Sequence, residues 1–69
     1  MTHKEVKEQI RYLREREVSE ITGLALPTLR NYRFQGIGPD YVKAGERAVR
    51  YRLDDVIRYM EAGRVSHKE

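Results

Sequence analysis

The 69-residue chain contains no cysteine, has 36% charged residues and carries a formal net charge of +3. This length supports one small domain, and the lack of cysteine excludes a disulfide framework and a thiolate metal site, so packing alone must hold the core. The longest apolar run, Leu24 to Leu26, is too short for a membrane span or a signal peptide, so we expect a cytoplasmic protein without membrane contact. His3 and His67 lie near opposite ends of the chain, so we expect neither a metal ion nor a cofactor.

The first eleven residues form a charged N-terminal extension, which we interpret as partly helical. Val6, Ile10 and Leu13 follow the i, i+4, i+7 spacing of a narrow apolar stripe. A frayed tail and an interaction helix both fit this pattern. At the other end of the chain, residues 64–69 show no apolar spacing and are expected to form a flexible tail.

A first helix and a tight turn are predicted after the extension. Val18 and Ile21 share one face of a helix over residues 15–22. Gly23 is expected to end this helix, because glycine adopts the positive φ that helix ends often need. Leu24 then fits a buried position in the turn.

The second helix begins around Pro27, because proline is accepted in the first turn of a helix, and it runs to about Gln35. Its inner face is apolar and consists of Leu26, Leu29 and Tyr32. The other side carries Thr28, Asn31 and Gln35. Two glycines and a proline then stop the helix: Gly36, Gly38 and Pro39.

A β-hairpin is predicted next, with strands over residues 41–43 and 48–52. Gly45 at the tip suits the left-handed region of a hairpin loop. Val49 and Tyr51 share the packed face of the second strand, because side chains alternate along a strand.

A third helix follows the hairpin and ends near Gly63. Its apolar positions have the i, i+3, i+4, i+7 spacing of a full amphipathic repeat: Leu53, Val56, Ile57 and Met60. Asp54 and Asp55 suit its N-terminal end, where the helix dipole is positive.

This order of elements predicts a mainly α, winged helix-turn-helix domain over residues 12–63: a helix-turn-helix, a two-stranded wing and a C-terminal helix. In that arrangement the second helix enters the major groove of double-stranded DNA, where its side chains meet base edges. The candidates on this helix are Thr28, Arg30, Asn31 and Arg33. Arg33 lies nearer the inner face, so it either braces the domain through an acidic partner or reaches a phosphate from the flank.

The charges are segregated along the chain. Residues 25–52 hold six basic and two acidic residues, a net charge of +4, which leaves −1 for the other segments. Such segregation is typical of a surface that meets a polyanion. The basic residues of the hairpin suit contacts with the DNA backbone or minor groove, although a solvated hairpin uses such charges as well: Lys43, Arg47, Arg50 and Arg52.

The sequence does not suggest an enzyme. Asp54, Asp55 and the glutamates are scattered along the helices and do not converge with a candidate nucleophile, and Ser19 and Ser66 have no nearby histidine in the sequence. We therefore predict a binding protein without catalytic activity and without a small-molecule ligand.

Four motifs follow one another between residues 12 and 60. They are EVSEITGL in the first helix and turn, PTLRNYR in the second helix, GIGPDYVKAGER in the hairpin and VRYRLDDV leading into the last helix. Together they resemble the excisionase and AlpA-type phage regulator family, part of the wider MerR-like winged-helix group. The resemblance implies a DNA-binding protein of a phage or mobile element that acts as a transcriptional regulator or as an excisionase. An integrase is then a further possible partner, and a small-terminase DNA-recognition module is another role in this class.

Carried over by position, the resemblance implies a recognition helix with Thr28, Arg30 and Asn31 and a wing with Lys43, Arg47 and Arg50. Three residues depart from the family pattern. Arg14 and Ala25 stand where relatives often have a helix-capping Ser or Thr, and Tyr51 stands where many have Trp. DNA phosphate is a possible partner for the uncapped amides of the second helix.

The alternative outside DNA binding is a protein-binding adaptor or anti-repressor that keeps the winged fold, which needs an exposed apolar patch. For the DNA-binding function we expect a free monomer, because the apolar pattern stops at Gly63. Several copies would then load cooperatively on repeated sites, with neighbours meeting through the wing or through the stripe of Val6, Ile10 and Leu13.

Overall fold

The computed structural model describes residues 10–67, which form three α-helices and a small three-stranded antiparallel sheet. The elements in chain order are β1 (Tyr12–Leu13), α1 (Glu15–Thr22), α2 (Leu26–Gln35), β2 (Val42–Lys43), β3 (Val49–Arg52) and α3 (Leu53–Ala62). The central strand of the sheet is β3, which pairs with β1 on one side and β2 on the other. Within residues 10–67 the helices are all too short or too polar to span a lipid bilayer.

The connection between α1 and α2 follows the prediction. Gly23 has φ 79°, and its N–H donates to the Ser19 carbonyl at 2.8 Å, which ends α1. The Thr22 hydroxyl donates to the Val18 carbonyl at 2.8 Å and accepts the Leu24 N–H at 3.1 Å. Because these bonds hold both sides of the turn, they fix the direction in which α2 leaves α1.

The sheet contains a strand that the sequence did not predict. Leu13 lies in β1, opposite Tyr51 of β3, and is 1% exposed. The helical stripe predicted for Val6, Ile10 and Leu13 is therefore wrong at Leu13, because pairing with a distant strand determines its conformation. Val6 and most of the predicted N-terminal extension, residues 1–9, lie outside the described residues.

The hairpin strands are shorter than predicted, and the loop between them closes without a left-handed Gly45. Lys43 pairs with Val49, and the Ala44 N–H donates to the Ala48 carbonyl at 2.7 Å. In the described part of the chain positive φ angles occur only at three glycines, namely Gly23, Gly36 and Gly38. The prediction for Gly45 is wrong because the loop spreads the chain reversal over several residues, whereas a two-residue turn would need positive φ.

Every element except β2 contributes one fully buried side chain to the core, which consists of Leu13, Val18, Leu29, Tyr51 and Val56. Four partly buried side chains pack against these five: Leu24, Leu26, Val49 and Leu53. Burial of each large apolar side chain stabilises the fold by roughly 1.5–3 kcal/mol. The core therefore joins all the helices and two of the three strands through single side chains.

The predicted apolar face of α3 is only partly buried by the rest of the domain. Val56 is fully buried, whereas Ile57 and Met60 are 49% and 41% exposed. On α1, Ile21 is similarly exposed although the periodicity placed it on the same face as the buried Val18. Helical spacing therefore predicted the buried residue of each helix (Val18, Leu29 and Val56), but the core is too small to cover the full width of each predicted face.

Candidate nucleic-acid interface

A groove opens between the start of α1, one side of α2 and the β2–β3 hairpin. Its lining consists of six arginines, one glutamate and two apolar residues: Arg14, Glu15, Arg16, Leu26, Arg30, Arg33, Arg47, Val49 and Arg50. Six positive charges and one negative charge leave an excess of five positive charges. We call this feature the cationic groove. It brings together arginines from three segments that are distant in sequence.

Glu15 is the acidic residue of the cationic groove, and it binds two of the arginines. Its carboxylate accepts hydrogen bonds from Arg30 Nε at 3.2 Å and Nη2 at 2.6 Å, and from Arg33 Nη1 at 3.5 Å. The hydrogen bond from Arg30 holds the pKa of Glu15 below its ordinary value, against the opposing effect of partial burial. Because the two bonds to Arg30 form a bidentate pair, they orient its guanidinium group as a planar fork.

Arg33 braces the interior side of the groove. Its side chain is 18% exposed, and Nη1 donates to the Tyr51 hydroxyl at 2.8 Å as well as to Glu15. The guanidinium carbon also lies 5.8 Å from the centre of the Tyr41 ring, within the range of a cation–π contact. The sequence alone left open whether Arg33 braces the domain through an acidic partner or contacts a phosphate. Glu15 is such an acidic partner, while a contact between Arg33 and DNA stays a prediction.

The N-terminal end of α2 lies at the cationic groove, because Leu26 both starts the helix and lines the groove. Ala25 occupies the N-cap position and offers no side-chain acceptor to the first amides. Pro27, in the first turn as predicted, has no N–H. This helix end carries the positive end of the dipole without an acidic residue in its first turn.

The outward face of α2 is polar around Asn31 and ends on an exposed aromatic ring. Asn31 is exposed and Thr28 is half-buried on the flank of the helix. Phe34 is 89% exposed, although it is the only phenylalanine of the chain. Phe34 had no predicted role, because its position matched neither the apolar inner face nor the set of hydrogen-bonding residues.

The four basic residues predicted on the hairpin divide into two pairs. Arg47 and Arg50 line the cationic groove, with Arg50 Nη1 donating to the Val49 carbonyl at 2.8 Å. Lys43 is exposed, but it is not part of the groove lining. Arg52 also lies outside that lining and forms a bidentate pair with Asp54, at 3.0 and 2.8 Å, which lowers the pKa of Asp54.

Two arginines of the cationic groove were not among the predicted residues. Arg14 and Arg16 reach it from the start of α1. Arg14 takes the N-cap position, and the Glu17 carboxylate accepts its N–H at 2.8 Å. An arginine at a position where a capping Ser or Thr is usual could have drawn attention to Arg14. Both arginines lie outside residues 25–52, the segment whose charge was counted.

Several of these arginines keep their charge available for a ligand. Within residues 10–67, Arg14, Arg16, Arg47 and Arg50 have no carboxylate within ion-pair distance. Of the eight residues predicted to bind DNA, four line the groove: Arg30, Arg33, Arg47 and Arg50. Comparison of the chain with protein-family models, curated proteins and solved structures finds no match.

Proposed function

We propose that the protein binds double-stranded DNA as a winged helix-turn-helix domain, with α1 and α2 as the helix-turn-helix and the β2–β3 hairpin as the wing. The observation that carries this proposal is the cationic groove, whose six arginines lie beside a helix without acidic residues. DNA carries one negative charge per about 1.7 Å of helix axis, so a row of arginines gains affinity by neutralising phosphates. A cytoplasmic location belongs to the same proposal.

The arginines without an acidic partner contact phosphates and fix the position of the domain, while α2 reads bases in the major groove. The Glu15 carboxylate offers Arg30 two acceptors side by side, as a guanine edge or a phosphate does. Glu15 therefore orients the Arg30 guanidinium group before DNA binds, and DNA then replaces Glu15 as its partner. Asn31, which is exposed on the same helix, pairs with an adenine.

The biological role within this proposal is that of a transcriptional regulator or excisionase from a phage or mobile element. This step rests on the resemblance of the motifs in residues 12–60 to that family. A regulator changes transcription when it occupies a promoter, whereas an excisionase acts together with an integrase. Recombination assays with the integrase of the same element distinguish the two roles.

Fluorescence anisotropy with a labelled random-sequence duplex, measured over a series of salt concentrations, tests DNA binding. We expect a Kd of roughly 10⁻⁴ to 10⁻⁶ M near physiological salt and weaker binding as salt rises. Arg47→Ala should weaken binding to every duplex about equally and lower the salt slope by about 1. Asn31→Ala should instead relax the base preference of duplexes selected from a random pool.

Arg64→Ala is the matched control for the loss of charge. Arg64 is exposed, pairs with Glu61 at 3.3 Å and lies outside the groove lining, so its removal should leave the salt slope unchanged. Salt-independent binding, or no binding, contradicts the proposal. If Arg47→Ala and Arg64→Ala lower the slope equally, net charge and not the cationic groove accounts for the affinity.

A protein-binding adaptor is the second candidate, and one observation favours it. A mainly apolar groove lies at the other end of α1, lined by Thr22, Leu24, Tyr59, Met60, Ala62 and Gly63. Met60 is 41% exposed there, as an apolar contact surface requires. This function is favoured over DNA binding if the chain binds no duplex but forms a complex with another protein, and if Met60→Glu abolishes that complex.

A further inference from the structure

Phe34 is the most exposed large apolar side chain in the part of the chain that the structure describes, at 89%. It lies near the end of α2, in a helix held firmly by the buried Leu29 and ended by Gly36 at φ 77°. The ring adds nothing to the core, so the fold does not explain a phenylalanine at this position. A ligand that covers the outward face of α2 would explain it.

The neighbours of Phe34 on the helix identify the chemistry of that ligand. Residues three and four apart lie on the same face of a helix, so Phe34 adjoins Asn31 and Arg30. Arg30 lines the cationic groove, and α2 as a whole contains no acidic residue. An apolar ring beside an amide and a guanidinium group, at the edge of an arginine-rich groove, is complementary to the major groove of DNA. There base edges offer hydrogen-bonding groups, phosphates flank them, and the C5 methyl of thymine is the only apolar group.

This inference rests on the proposed function. We propose that Phe34 packs on the C5 methyl group of a thymine in the major groove and thereby determines part of the target sequence. The Cβ atoms of residues three apart on a helix are about 5–6 Å from each other, and successive bases rise by about 3.4 Å. The thymine therefore lies within about two base pairs of the adenine that Asn31 reads.

Deoxyuridine tests this contact, because it differs from thymidine only by the missing methyl group and keeps the same hydrogen-bonding edge. The strongest-binding duplex from a random pool is synthesised with thymidine throughout and with deoxyuridine at one thymine position at a time. For the wild-type protein we expect one position where the substitution weakens binding about fourfold, the free energy of one buried methyl group expressed as a ratio of Kd values. Substitution elsewhere should have little effect.

Phe34→Ala should bind the thymidine duplex more weakly and lose the discrimination, with a ratio of Kd values near 1 at that position. Ile37→Ala is the matched control, because Ile37 is another exposed apolar residue, 50% exposed and beyond the end of α2. It should keep the fourfold ratio. Circular dichroism confirms that both variants are folded, which we expect because neither side chain belongs to the core.

The outcomes separate this inference from the proposed function. If the wild-type protein binds no duplex, both fail. If it binds thymidine and deoxyuridine duplexes equally at every position, DNA binding stands and the methyl contact is wrong. If Phe34→Ala weakens binding but keeps the same discrimination, the ring contacts something else, such as a second copy of the protein, and the inference is overturned.

Discussion

Replacement of Tyr51 by phenylalanine tests whether the contact between Arg33 and Tyr51 holds the groove to the core. The Tyr51 ring is fully buried, and its hydroxyl accepts the hydrogen bond from Arg33 Nη1 at 2.8 Å. Tyr51→Phe keeps the ring and removes only that acceptor. Arg33 is then left with Glu15 at 3.5 Å and the face of the Tyr41 ring.

The expected loss of stability follows from the charge and the burial of this pair. A hydrogen bond to a charged group contributes about 1.5–3 kcal/mol, and the 18% exposure of Arg33 limits how far water can replace the lost partner. In a domain of this size 1 kcal/mol shifts Tm by about 4–8 °C, so we expect Tm to fall by roughly 6–24 °C. A double-mutant cycle with Arg33→Met assigns the loss to the pair, since the two single losses should not add.

Urea unfolding at neutral pH, followed by circular dichroism, measures the free energy of unfolding of each variant. Tyr59→Phe is the matched control, because the Tyr59 hydroxyl takes part in none of the hydrogen bonds found within residues 10–67. It should leave the stability within about 0.5 kcal/mol of wild type. If Tyr51→Phe is equally neutral, or if its effect adds fully to that of Arg33→Met, the hydrogen bond between Arg33 and Tyr51 does not hold the groove to the core.

The pH dependence of stability should reveal Glu15, whose pKa is lowered in the folded protein by its hydrogen bond from Arg30. A lowered pKa stabilises the fold above the ordinary glutamate pKa of about 4.3, and this contribution is lost as the pH falls through the lowered value. Glu15→Gln should therefore be less stable than wild type at neutral pH, and urea midpoints should show the difference shrinking in acid; a constant difference contradicts the assignment. Gly38→Ala should cost about 1–3 kcal/mol, because φ is +85° and the new Cβ would lie 3.0 Å from Tyr32 Cβ. Gly45→Ala, whose Cβ would meet only an ordinary contact at 3.8 Å, should leave the urea midpoint nearly unchanged, and equal losses in the two variants would show that strain at Gly38 is not the cause.

Local signals predicted the helices well. Glycine permits positive φ and proline fixes φ, so Gly23 and Pro27 allowed the end of α1 and the start of α2 to be predicted from the sequence. The strand at Leu13 has no such signal, because a two-residue strand is defined by its partner Tyr51, 38 residues further along the chain (51 minus 13). A pattern of spacing cannot show such a pairing.

Within the candidate site, positions set by a single helix could be predicted, whereas contacts between elements could not. The outward position of Asn31 follows from the period of the helix, and the structure agrees. The pairing of Arg33 with Glu15 depends on the way α1 crosses α2, which neither helix encodes alone. Arg14 and Arg16 were missed because charge was counted along the chain, whereas the cationic groove sums charge across space.

The core, in which each of five elements supplies one fully buried side chain, makes the domain a structure without redundancy. In a larger protein, an element that loses one buried side chain stays packed through its other buried side chains. Here each of the five elements has a single fully buried side chain, so its loss detaches the whole element from the core. Unfolding is therefore expected to be all-or-none, and a half-folded state with an intact cationic groove has no core to support it. A ligand that binds this groove in the native state alone stabilises the fold by RT ln(1 + [L]/Kd), so the melting temperature should rise with ligand concentration. Mutations that weaken the core will consequently appear in a functional screen as binding defects, although none of the five core residues lines the cationic groove.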